Sequence, residues 1–170
     1  MTKRAYIRQI VSDKRNWHAP PGAPAETEGF PGWHSRGYLP HFDSPGTIQF
    51  ITFRLHDAFP AARRCEWELL FAIENDRERR IQLEAYLDKG HGICYLREPR
   101  VAQIIQDALL FFDNQRYRLL AWAVMPNHVH ALVEVWQVPM AKLLESWKGF
   151  TARQAHRILG RKGKFWQVEY

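Results

Sequence analysis

Residues 117–135 read YRLLAWAVMPNHVHALVEV. Two runs rich in β-branched and aromatic side chains flank Pro126-Asn127, and both follow a period of two. Residues 117–125 and 128–135 are therefore expected to form an antiparallel hairpin. On its second strand, alternation sends Val129, Ala131, Val133 and Val135 to one face and His128, His130, Leu132 and Glu134 to the other. An apolar set of this kind needs helices to cover it. The two imidazoles then project side by side from the opposite face, about 6 to 7 Å apart along the strand.

Working outward, residues 47–55 (TIQFITFRL) read as an earlier strand that follows the turn cluster HFDSPG at residues 41–46. A long helix is expected over residues 61–88, with the charged run ENDRERR (residues 74–80) as its solvated face, and the segment KGHG (residues 89–92) ends it. Glu98-Pro99 opens a second helix whose apolar stripe is Val101, Ile104, Ile105, Ala108, Leu109 and Phe112. A third helix covers residues 141–159, with Leu143, Leu144, Trp147, Phe150, Thr151 and Ile158 on its apolar side. Gly160 and Gly163 break it, and residues 165–168 suit a short last strand. The order β, α, α, β, β, α, β defines an α+β domain: a ferredoxin-like antiparallel sheet with helices on one face and the other face free for a ligand. Residues 1–36, crowded with Pro20, Pro21, Pro24, Pro31, Gly22, Gly29 and Gly32, read as an N-terminal arm, and residues 37–170 as the domain.

The 170 residues carry 24 Lys and Arg against 18 Asp and Glu, a formal charge of +6, with 46% hydrophobic and 14% aromatic residues. That is too apolar for a disordered chain and fits one core. No run approaches the roughly 18 to 20 apolar residues of a membrane span. The N-terminus shows no apolar signal region, so a cytoplasmic protein is expected. Cys65 and Cys94 are too few for a disulfide framework and read as two buried small hydrophobes. From residue 140 onward seven cations face only Glu145 and Glu169, so an excess of +5 falls in that segment. Lys148, Arg153, Arg157, Arg161, Lys162 and Lys164 are the candidate DNA contacts. Aromatic surfaces beside clustered cations are what single-stranded nucleic acid requires.

The His-x-His pair, held at the end of a rigid hairpin, can converge on one divalent metal. A plain hydrogen-bonded pair of histidines is the alternative. No cysteine lies near them, so a thiolate zinc site is not expected; an oxygen or amide third ligand would suit Mg²⁺ or Mn²⁺ with open positions for a phosphate. Glu134 and Gln167 are the nearest candidates for that ligand. A zinc-dependent hydrolase built on the same two histidines is a competing reading.

GYLPHFD (residues 37–43), ITFRLHDAFP (51–60), LDKGHGICYL (87–96), AWAVMPNHVHALVE (121–134) and SWKGFTARQAHRILGRKGKFWQVEY (146–170) resemble the REP-associated tyrosine transposases, members of the HUH single-strand transposases. The resemblance spans roughly residues 36–170. It implies that His128 and His130 hold a divalent cation that polarises a scissile phosphate. A tyrosine hydroxyl then attacks, leaving a 5′-phosphotyrosine and a free 3′-OH. It implies as partner single-stranded or hairpin DNA from short palindromic repeats in bacterial genomes. In that family the nucleophile lies on a further helix, in a Tyr-x-x-x-Asn-Pro setting, which these 170 residues do not contain; by that comparison the domain is incomplete at its C-terminus. Tyr170 is the tyrosine at the matching Trp-Gln-x-x-Tyr position, and serving as nucleophile would require a chain end to be held at attack distance. Tyr117, at a strand start, reads as packing. Two functions follow as expectations: a metal-assisted transposase, or a DNA-binding remnant that has lost strand cleavage.

Overall fold

A computed structural model describes residues 29–35 and 40–168. Most of the expected arm, and Tyr170, lie outside the described residues. A small hairpin comes first: β1 (Gly32–Ser35) pairs antiparallel with β2 (Pro40–Asp43), straddling the boundary at residue 36 that the breakers suggest. The hairpin is tied to the domain, because the preceding Phe30 is 4% exposed and joins the core. The buried Asp43 carboxylate accepts the Met140 N–H at 2.9 Å, placing a negative charge at a helix N-terminus.

The main sheet has three antiparallel strands, β3 (Thr47–Arg54), β4 (Tyr117–Val124) and β5 (His128–Val135), in the order β3-β5-β4. β5 is central. Ile51, Phe53, Val129, Ala131, Val133 and Val135 alternate onto one buried face, as the period of two requires. In β4 the alternation slips at Leu120, because a bulge between Leu119 and Ala121 sets one extra residue against β5. Residues 165–168 run along the free edge of β3, where Leu55 and Trp166 form an antiparallel bridge. His56 N donates to Phe165 O and Gln167 N to Arg54 O. The expected last strand is thus a single bridge, at the edge of β3.

The expected helix over residues 61–88 is two helices. After a short 3₁₀ turn, α1 (Arg64–Phe71) stops, and α2 (Asp76–Asp88) starts at Asn75, whose side chain accepts from Glu78 N at 2.9 Å. The charged run contains a helix start: Asn75 caps, and Asp76 and Glu78 favour the N-terminal dipole. Arg79 completes the break by donating to Ile73 O at 2.8 Å. α3 (Pro99–Leu110) and α4 (Met140–Leu159) form as expected and pack on the apolar face of the sheet. Phe150, expected on the apolar side of α4, is 41% exposed. Tyr117 confirms its packing role: it is fully buried, its hydroxyl donates to Leu109 O at 2.6 Å, and Trp147 Nε1 donates to it at 3.2 Å. Burial raises its phenol pKa above the ordinary value.

Candidate metal centre

The opposite face of the sheet carries Ile48, Phe50, Thr52 and Arg54 from β3 against Glu134, Leu132, His130 and His128 from β5. It is not free along its whole length. α2 reaches the histidine end with Glu84 and Asp88, one turn apart on a single helix face. His128 is fully buried there.

The hairpin turn orders His128. Asn127 is also fully buried; its Nδ2 donates to His91 O at 3.0 Å, which turns its Oδ1 toward His128 Nδ1 at 2.7 Å. Nδ1 therefore carries the hydrogen and Nε2 the lone pair. The loop that supplies the His91 carbonyl is itself fixed by Gly92, where φ is +88° and a Cβ would stand 2.5 Å from Asp57 O, and by Ile93 N donating to Asp57 Oδ2 at 2.9 Å. Only glycine allows that approach.

On the second imidazole, His130 Nδ1 lies 2.8 Å from Thr52 Oγ1, and the Thr52 hydroxyl donates to Glu84 Oε1 at 3.4 Å. With Nδ1–H donating to the threonine oxygen, the His130 Nε2 lone pair faces that of His128 at 2.9 Å. Glu84 Oε2 stands 3.5 Å from His130 Nε2, is buried, and has no hydrogen-bond partner. Two facing lone pairs and an orphaned carboxylate oxygen repel one another unless a proton or a cation sits among them. Donors from Glu84, His128 and His130 lie within 4.8 Å of one another. Ligands that share an ion at about 2.1 Å and a right angle stand about 3 Å apart, so the separation of the two nitrogens fits a common cation. Burial, together with the neighbouring His130 and Arg54, pushes the His128 pKa down to about 4 against the opposing pull of Asp88. The ring is neutral at pH 7, the form that binds metal.

The expected third ligands are otherwise engaged. Glu134 Oε2 is 2.6 Å from Arg118, and Gln167 Oε1 accepts from Arg54 Nε at 2.8 Å. Glu84 is the acidic side chain that instead stands beside the two imidazoles, and sequence reasoning missed it because it arrives from a helix more than forty residues upstream. Its signal was the Glu84/Asp88 spacing, which puts two carboxylates on one helix face.

The structure does not gather the candidate DNA cations around the histidines. α4 covers the other side of the sheet through Leu143, Leu144, Trp147, Thr151 and Ala155. Arg153 and Arg157 are exposed and lie two residues beyond Thr151 and Ala155, about 200° around the helix, so they point away from the sheet. Lys148 Nζ donates to Val168 O at 2.8 Å, and the Arg161 guanidinium lies 4.3 Å from the Tyr95 ring centroid. Lys162 and Lys164 are exposed in the following turn. Cys65 is exposed rather than buried, and Cys94 is buried. No helix among the described residues is long and apolar enough to cross a membrane.

Residues 96–170, a little under half of the chain, match the family model described as "Transposase IS200 like". The transposase resemblance carried by the Met-Pro-Asn-His-x-His hairpin is thus found again over that segment. The chain is also similar to a solved structure of a REP-associated tyrosine transposase bound to a REP hairpin, at 14% identity and a TM-score of 0.40. That likeness covers 76% of this chain and 56% of the other, so the chain spans little more than half the length of that protein. Among curated proteins, none matches it.

Proposed function

We propose that this protein is a transposase-like protein that binds single-stranded or hairpin DNA, with Glu84, His128 and His130 holding a divalent cation, Mg²⁺ or Mn²⁺, at the phosphodiester. The observation that carries the reading is the orphaned Glu84 Oε2 beside two imidazole nitrogens 2.9 Å apart. When bound, such an ion would withdraw charge from the phosphoryl oxygens and lower the barrier to nucleophilic substitution at phosphorus, in which the attacking oxygen displaces the bridging leaving oxygen. The residues of the chain present it: Asn127 and Thr52 orient the two rings, and α2 supplies the carboxylate. The cations beyond residue 140 attract the phosphate backbone over a longer range, and Tyr170 is the hydroxyl to test as nucleophile.

Titration of Mn²⁺ followed by electron paramagnetic resonance should show one site per chain, weakened at least tenfold in Glu84→Gln. Incubation with a labelled hairpin repeat and Mn²⁺ should then give a denaturation-resistant protein–DNA adduct. Loss of the adduct in Tyr170→Phe would assign the nucleophile. DNA binding without any adduct would sink strand cleavage and leave a binding protein. Stoichiometric zinc with no Mn²⁺ site and no DNA binding would favour the zinc hydrolase instead.

A further inference from the structure

The half of the histidine-bearing face that α2 leaves open carries an aromatic ring that the metal centre does not use. Phe50 stands opposite Leu132 on the neighbouring strand, and its ring stacks on His130 with centroids 5.3 Å apart and planes at 22°. It is nevertheless 64% exposed, and Ile48, the next residue outward on that face of β3, is 55% exposed. Leaving most of a phenylalanine ring in water forgoes the stability that its burial would give. One side of the Phe50 ring thus rests on a candidate ligand ring, and the other is open to solvent. Among the described strands of the sheet the one carboxylate is Glu134, and it is paired with Arg118, whose side chain stays half-exposed.

We infer that Phe50 is a stacking platform for one base of a single DNA strand, the base next to the phosphate held at Glu84, His128 and His130. This rests on the DNA-binding reading above and adds to it the residue that fixes the strand's position. A base fits better than an apolar protein segment for three reasons. The platform is a single planar ring, not a groove. It adjoins donors suited to a phosphate-bound cation. The open lane ends at a guanidinium. Base–aromatic stacking tolerates any base, so Phe50 would set the register of the strand without reading its sequence.

The test is an abasic scan. A single-stranded oligonucleotide that wild type binds is prepared with one base removed at each position in turn, and its affinity for wild type, Phe50→Ala and Phe50→Trp is measured in Mn²⁺. Phe50→Ala should bind the intact strand about tenfold more weakly. One abasic position should cost wild type a similar factor and cost Phe50→Ala nothing further. Phe50→Trp should retain wild-type affinity. Mn²⁺ affinity without DNA should be unchanged in both variants, and the exposed position makes misfolding of Phe50→Ala an unimportant outcome. Equal losses for wild type and Phe50→Ala at every abasic position would overturn the inference. So would a fall in Mn²⁺ affinity matching the fall in DNA affinity, which would make Phe50 a prop for His130. Wild type that binds no DNA would take down the parent reading as well, whereas wild type that binds DNA but shows no such position takes down stacking alone.

Discussion

The two faces of one sheet are built on opposite terms. Toward α3 and α4, β3 and β5 present Ile51, Phe53, Val129, Ala131, Val133 and Val135, all at most 5% exposed, against Tyr117, Trp147 and Trp166. Toward α2, the same two strands present His128, His130, Thr52 and Arg54: Thr52 bonds the His130 ring, the Nε2 atoms of the two imidazoles stand 2.9 Å apart, and Glu84 and Asp88 face them. The apolar face gains stability from packing and has no need of a ligand. The polar face buries an imidazole and leaves a buried Glu84 carboxylate oxygen without a hydrogen-bond partner, an arrangement that a bound cation would relieve. Strand alternation puts the two faces one residue apart, so the stable side holds the strained side in place.

Substitutions on the apolar face should give the largest effects on folding. Phe53 is 1% exposed and contacts both Trp166 and Trp147, with ring centroids 5.0 and 6.5 Å away. Phe53→Ala should cost about 3 to 5 kcal/mol in urea denaturation. A loss below 1 kcal/mol would mean that this face is not the core.

The polar face should show itself next, in pH dependence. In metal-free protein with chelator present, His128 stays neutral until the pH falls to about 4, whereas the unfolded chain takes up that proton near pH 6.5. The unfolded state binds more protons between those values, so stability is complete above about pH 6.5 and declines as pH falls toward 4, by about 3 kcal/mol from this group. The difference in stability between wild type and His128→Gln, followed across that window, isolates the contribution. A flat difference would show that His128 titrates normally and is not held neutral.

How far each face was legible in the sequence follows from the range of its contacts. Period-two alternation in residues 128–135 placed every side chain of β5 on its correct face, because strand geometry is local. The hairpin, α3 and α4 followed from local patterns for the same reason. The carboxylate of the site did not. Glu84 meets His130 only because α2 begins afresh at Asn75, and the charged run that hides this cap reads equally well as continuous helix. The bulge at Leu120 and the orientation of Asn127 by His91 O likewise depend on neighbours distant in sequence. The cations of α4 were recognised by type, but only packing shows that Arg153 and Arg157 face away from the histidines.

The smallest expected effect separates two acidic residues of the polar face, Glu134 and Glu84. Glu134 shares that face with His130 but lies four residues along β5, about 13 Å away. Its carboxylate is taken by Arg118 at 2.6 Å, in a pair whose guanidinium side is half-exposed. Such pairs contribute about 0 to 1 kcal/mol, because solvent screens the attraction and two long side chains must be ordered. Glu134→Gln should therefore change stability by less than about 1 kcal/mol and leave Mn²⁺ affinity where it was, while the same isosteric change at Glu84 weakens the metal. Both substitutions remove one negative charge from one sheet face, so a general electrostatic effect would lower Mn²⁺ binding in both. Only direct ligation predicts a loss confined to Glu84. Equal losses at the two positions would mean that the face attracts cations diffusely and that the 4.8 Å convergence of Glu84, His128 and His130 is not a metal centre.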